Sequence, residues 1–159
     1  MVGKEEKEKV NGMDDKQKKA EFKENELQKI LIELQLYKKK LDSINQQIQI
    51  VETTLLELEG TIKAIETLKN ESIGKEILVS LGSGSYFKAT LKDNKKVIVN
   101  VGAGISIEKT IEDAKKMLEE RKEELKKTND ELQKNAYEIN NKISDLNTSS
   151  ERLVKDLRG

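Results

Sequence analysis

Glu119-Glu120 and Glu123-Glu124 bring carboxylates together, and paired carboxylates can do general acid/base work when one of them holds its proton near neutral pH. That requires burial or a confined like-charge pair. These glutamates lie among lysines in a stretch that predicts a straight, solvated helix, which offers neither. Gly82-Ser83-Gly84 and Gly102-Ala103-Gly104 have the composition of phosphate-cradling loops, but no Gly-Lys-Ser/Thr follows either one and neither opens a dinucleotide fingerprint. Turn chemistry is the expectation for both. Asn70-Glu71-Ser72 and Asn147-Thr148-Ser149 match the glycosylation sequon, which has no meaning without a secretory signal. The chain has no cysteine and no histidine, so disulfides, thiolate nucleophiles, the commonest general base and the commonest transition-metal ligand are all missing. No catalytic, cofactor-binding or metal site is expected, no cofactor is implied, and an enzyme is not the reading.

Charge narrows the partners further. Thirty basic residues balance thirty acidic ones, so no summed field draws the chain to nucleic acid or to an anionic membrane. The N-terminus reads Met-Val-Gly-Lys-Glu-Glu-Lys with no apolar h-region, and no stretch approaches the roughly 18 apolar residues of a membrane span. A soluble, cytoplasmic protein is expected.

What remains is a protein whose chemistry is contact, and its elements decide which contacts. Only 35% of the 159 residues are hydrophobic while 38% are charged, poor material for a compact core and suitable for extended helices that bury one narrow stripe each. From Leu27 the apolar residues step by three and four: Leu27, Ile30, Leu34, Tyr37, Leu41, Ile44, Ile48, Val51, Leu55, Leu58, Ile62, Ile65. This heptad seam predicts a coiled coil, which needs a partner helix. A second helix is predicted from Thr110-Ile111-Glu112-Asp113, which resembles a capping box, to about Leu157. Its stripe is Ile111, Ala114, Leu118, Arg121, Leu125, Thr128, Leu132, Ala136, Ile139, Ile143, Leu146, Ser150, Leu153 and Leu157, with a stutter between Leu132 and Ala136. If the chain doubles back so that Lys69 meets Thr110, Leu27 lands beside Arg152. About 45 residues in each helix then give an antiparallel arm of roughly 70 Å.

Between the helices four short β-branched runs are separated by turn residues: Glu76 to Leu81, Tyr86 to Leu91, Val97 to Val101 and Ile105 to Ile107. Gly82-Ser83-Gly84, Asp93-Asn94 and Gly102-Ala103-Gly104 are expected to supply the positive-φ turn conformations. A bulged hairpin around Asp93-Asn94 is expected to set Leu91 opposite Val97, Ala89 opposite Val99 and Phe87 opposite Val101, gathering all six on one apolar face. Four strands cannot bury that face alone, so these six residues are the candidate oligomerisation surface. The fold class is α+β, with residues 1–24 a charged extension, 25–70 the first coiled-coil helix, 71–109 the hairpin region and 110–157 the second helix. The extension carries no clear seam and leaves both Met1 and Met13 as candidate starts of the natural chain.

The order helix, two β-hairpins, helix, with Leu81-Gly82-Ser83-Gly84-Ser85-Tyr86-Phe87-Lys88-Ala89 and Lys96-Val97-Ile98-Val99-Asn100-Val101-Gly102-Ala103-Gly104-Ile105 at its centre, resembles the archaeal prefoldin alpha family. The match is most specific over residues 74–112. The resemblance implies an ATP-independent chaperone, a holdase, working as a hexamer of two alpha and four beta subunits. β-Barrels form its base, and coiled-coil tentacles hold unfolded clients for a group II chaperonin. Four strands favour the alpha class, which has two hairpins where the beta class has one. A filament-forming alpha-type paralogue and a simple coiled-coil scaffold are the alternatives. With the family's client-binding tips in view, the candidates at the open end of the helical pair are Phe22, Leu27, Ile30 and Leu31 on one helix and Leu153, Val154 and Leu157 on the other. Leu31 and Val154 lie off the seam and are free to face outward.

Overall fold

A computed structural model describes the backbone of residues 2–158 and the side chains of residues 15–158. The elements run α1 (Val2–Lys69), β1 (Glu76–Gly82), β2 (Ser85–Thr90), β3 (Lys96–Gly102), β4 (Ile105–Thr110) and α2 (Ile111–Arg158). The chain divides into two units, residues 49–130 and residues 1–48 with 131–159.

In the unit of residues 49–130, α1 and α2 lie antiparallel. Glu59 faces Lys122 at 3.9 Å, Glu66 pairs with Lys115, and Lys69 meets Glu112 at 2.7 Å, so one sequence number rises as the other falls. Leu58, Ile62 and Ile65 pack with Ile111 and Leu118, with Val97 and Leu125 against them. Thr110 caps α2, its Oγ1 accepting from the Asp113 amide at 3.1 Å, as the Thr-x-x-Asp spacing predicts. In the other unit the helices are again antiparallel: Lys23 meets Asp156 at 3.3 Å, while Tyr37, Lys40 and Ile44 line a groove with Asn135, Ile139 and Lys142.

Every seam residue read in α1, from Leu27 to Ile65, is buried or half-buried. The α2 seam differs from expectation. Arg121 and Thr128 face solvent, and Lys122 and Asn129 take the inward positions instead. The irregular step is therefore Ala114–Leu118–Lys122, two fours in succession, and from Lys122 the threes and fours alternate through Leu132 and Ala136. Lysine is tolerated there because its aliphatic stem lies along the seam while its ammonium reaches out. The Lys122 side chain is 17% exposed, and its Nζ contacts Glu119 at 3.2 Å.

The strands form two separate antiparallel sheets, β1–β2 and β3–β4. This overturns the expected pairing around Asp93-Asn94. Ala89 lies opposite Ile77, Phe87 opposite Val79 and Val99 opposite Ile107. The reversals occur at Ser83-Gly84 (φ 50 and 72°) and Ala103-Gly104 (φ 49 and 74°), two-residue turns with both central residues left-handed, whose twist matches that of the strands they join. Gly82 and Gly102 carry a bulge beside each turn. Asp93 and Asn94 do not adopt positive φ and serve the connector instead. Asp93 Oδ1 accepts from the Lys95 amide at 2.7 Å, and Asn94 Nδ2 donates to the carbonyls of Glu71 at 2.9 Å and Lys69 at 3.4 Å, satisfying oxygens that the end of α1 leaves free.

The two hairpins are copies of one another. Residues 75–93 match residues 95–113 at a constant offset of 20, aligning Val79 with Val99, Gly82 with Gly102, Gly84 with Gly104, Thr90 with Thr110 and Asp93 with Asp113. Hydrogen bonds repeat as well. The Leu91 amide donates to the Lys75 carbonyl and the Ile111 amide to the Lys95 carbonyl, both at 2.9 Å. The Gly82 amide donates to Ser80 Oγ at 3.4 Å, and the Gly102 amide to Asn100 Oδ1 at 2.8 Å.

Candidate interaction surfaces

Two groups of residues were singled out by sequence, and each falls within one unit. In the unit built from both termini, Phe22, Leu27, Ile30 and Leu31 on α1 are brought to the same end as Leu153, Val154 and Leu157 on α2, beside the Lys23–Asp156 pair. Phe22 is 70% exposed and Leu31 is exposed. The other five are half-buried, Val154 included, although it lies off the seam. Residues 15–21 of α1 are exposed on every face, and Phe22 shares a shallow groove with Asp15, Lys19 and Lys23. An apolar ring among charged side chains is not stabilised by this chain and has surface to offer another.

The hairpin group is divided between the two sheets. Phe87 and Ala89 share a face with Ile77 and Val79 in the first hairpin, and Val97 and Val99 share one with Ile107 in the second. Leu91 and Val99 are already buried by the chain itself. The copies are unequally covered: Val79 is 43% exposed where its counterpart Val99 is 9% exposed, and Phe87 is 61% exposed. The second hairpin leans on the helical core through Val97. Val101, a member of that group, is exposed, and so are Leu78, Leu81, Tyr86, Ile98 and Ile105, apolar residues that sequence reading left out of the surface although their types already marked them. Each two-stranded sheet also has two unpaired strand edges, templates for further pairing.

Electrostatics on the helices is local. The hydrogen bond and charge of Lys115 hold the Glu66 carboxyl below its ordinary value, and Glu66 in turn raises the Lys115 ammonium. Lys69 lowers Glu112 in the same way, and Lys126 lowers Glu123. These groups are exposed and bind helix to helix or turn to turn. Among the described residues no cluster of acidic side chains is placed to hold a metal ion, and no helix is long and apolar enough to cross a membrane.

The prefoldin subunit family model matches residues 37–156, about half of α1, all four strands and nearly all of α2. The chain belongs to the prefoldin family. Its similarity runs to archaeal prefoldin alpha subunits: it is 31% identical over 104 residues to that of Methanothrix thermoacetophila, covering 65% of this chain and 68% of the relative. With that of Methanobrevibacter smithii it shares 27% over 130 residues, covering 82% and 88%. Among solved structures, a filamentous prefoldin from Methanocaldococcus jannaschii matches with a TM-score of 0.63 and 27% identity, covering 72% of this chain and 95% of that one. Two hairpins between two long helices agree with the alpha type of this chaperone family.

Proposed function

We propose that this chain is an ATP-independent holdase subunit that captures unfolded proteins and passes them to a group II chaperonin, working in a hexamer with beta-type subunits. The observation that carries the reading is the exposed apolar end formed by Phe22, Leu31 and the half-buried Leu27, Ile30, Leu153, Val154 and Leu157, on a chain of the alpha type. Burying one such side chain contributes about 1.5–3 kcal/mol. A few shared contacts give weak, reversible capture, and several subunits acting together raise the avidity. Nucleotide has no part in that cycle. The exposed faces around Phe87, Val79 and Val101 serve assembly, in which strand edges pair and apolar area is withdrawn from water.

A second reading is a filament-forming paralogue, favoured by the filamentous prefoldin among the similar structures. Sedimentation of the chain alone and with a beta-type subunit separates the two, since a hexamer subunit closes into a defined particle with its partner whereas a filament former polymerises unaided. The closed particle should keep a denatured client soluble equally well with and without ATP. A strict ATP requirement in the absence of chaperonin would overturn the holdase reading.

A further inference from the structure

Two residues advance about 200° around an α-helix, so a residue two places after a seam member lies on the opposite side of its helix. Applied to α1, a single helix over Val2–Lys69, this gives an outer line that runs from Lys29 through Ile32, Leu36, Ser43 and Ile50 to Glu57, each of them exposed. The helix therefore carries apolar residues on two sides, whereas Tyr137 is the one large exposed hydrophobic residue of α2. The seam accounts for one side of α1 only. Around the middle of the outer line, Ser43 to Val51 form a run of nine residues without a charge, the longest in either helix of a chain that is 38% charged. A second helix can approach there without stripping water from an ion.

We propose that this outer line of α1 packs antiparallel against the same line on a second copy of the chain, about a two-fold axis near Ser43. In that register Leu36 of each copy lies against Ile50 of the other, Ile32 lies against Thr53, and Lys29 meets Glu57. Lys39 comes within reach of Asp42 beside the axis. Thr53 already donates its hydroxyl to the Gln49 carbonyl at 2.8 Å, so it asks for no polar partner. Among the described residues, Lys29, Lys39, Asp42 and Glu57 take part in no ion pair within the chain. A parallel register would instead stack Lys29 on Lys29 and Glu57 on Glu57. The charges thus set the direction and the apolar residues supply the burial. A line that is complementary to itself under a two-fold is what an isologous contact requires. Antiparallel pairing sends the Lys69 ends, from which the hairpins follow, in opposite directions. The contact is consequently separate from the hairpin surface and goes beyond the function proposed above.

The chain has no cysteine, so single-cysteine variants of the full chain, treated with a short thiol-to-thiol cross-linker, read the register directly. A mixture of Leu36→Cys with Ile50→Cys should give a covalent dimer, and either variant alone should not. No dimer from the mixture, or equal cross-linking of each variant alone as a parallel contact requires, would overturn the proposal. Adding Phe87→Asp to both chains should leave the cross-link in place, because the hairpins do not make it; its disappearance would also count against the contact. Sedimentation velocity supplies the second readout. Lys29→Glu should weaken self-association by about ten-fold, since two attractive pairs become repulsive. The exchange K29E/E57K should restore it, and a lack of recovery would sink the register. Leu36→Asp with Ile50→Asp changes only the solvent side of α1 and leaves its seam intact. If that variant protects a denatured client less well while its association is unchanged, the line holds client and not a second copy, and the proposal fails.

Discussion

Asn129 occupies an inward position of the α2 seam between Leu125 and Leu132, yet its buried side-chain oxygen accepts no hydrogen bond. A buried, unsatisfied carbonyl of this kind costs about 1–3 kcal/mol. Asn129→Leu should therefore raise stability by about 1–2 kcal/mol, read as a higher urea midpoint with an unchanged slope; a lower midpoint would mean that the amide pins the local register. Glu66 and Lys115 make the opposite case, a polar pair that favours the fold. The Glu66 pKa is lowered, so its contribution is present above the ordinary carboxylate value and is lost as pH falls through the depressed one. The Lys115 pKa is raised, so its contribution is present below the ordinary lysine value and is lost as pH rises through the elevated one. Glu66→Gln should consequently be slightly less stable than wild type at neutral pH, and the two melting curves should converge in acid. Because the pair is exposed, the difference should also shrink in high salt.

Each hairpin depends on a two-residue turn in which both central residues are left-handed. Gly104 (φ 74°) has open space around it, so Gly104→Val would be opposed by backbone strain alone and should destabilise the second hairpin by about 1–2 kcal/mol. Ala103 (φ 49°) already bears such a penalty, and Ala103→Asn, which creates the favoured Asn-Gly turn, should stabilise it by about 0.5–1 kcal/mol. Thermal melts of the two variants test both signs together. The α1 seam was legible because a three-four spacing from Leu27 to Ile65 is set by one helix alone. Arg121 against Lys122 was not: both are basic, adjacent and long-stemmed, and the choice is made only when α2 packs against α1, where Lys122 reaches Glu119 of its own helix and Glu59 of the other. Strand pairing failed for a related reason. Alternating apolar residues satisfy more than one register; β2 and β3 are taken instead by β1 and β4 across the tight turns at Ser83-Gly84 and Ala103-Gly104, and Asn94 is held in the connector by Glu71, a partner 23 residues away. The signal that would have found the hairpins was the glycine pattern repeating at an offset of 20.

At the scale of the whole molecule, assembly and client capture are assigned to different units, which makes them separable. Phe87→Asp places a charge on a face exposed in the free chain, so it should abolish the oligomer in sedimentation while helical dichroism persists. Val99 is a poorer probe because it is already buried by its own chain, and a charge there would disturb folding and assembly together. Client capture is tested from the other unit. Removing residues 1–31 and 150–159 deletes Phe22, Leu27, Ile30 and Leu31 with Leu153, Val154 and Leu157, while the seam from Leu34 to Ile65 and all four strands stay in place. The trimmed chain should keep the stoichiometry of the full one and lose most of its ability to hold a denatured client in solution, since an unfolded chain gains its burial at the apolar side chains that were removed. Trimming residues 1–20 alone should do much less, because the side chains described there, residues 15–20, are exposed and five of the six are charged or amide-bearing. A doubly trimmed oligomer that protects clients as well as the full chain would move capture onto the exposed apolar residues of the hairpins, and Leu78, Tyr86 and Ile98 would become the next positions to substitute.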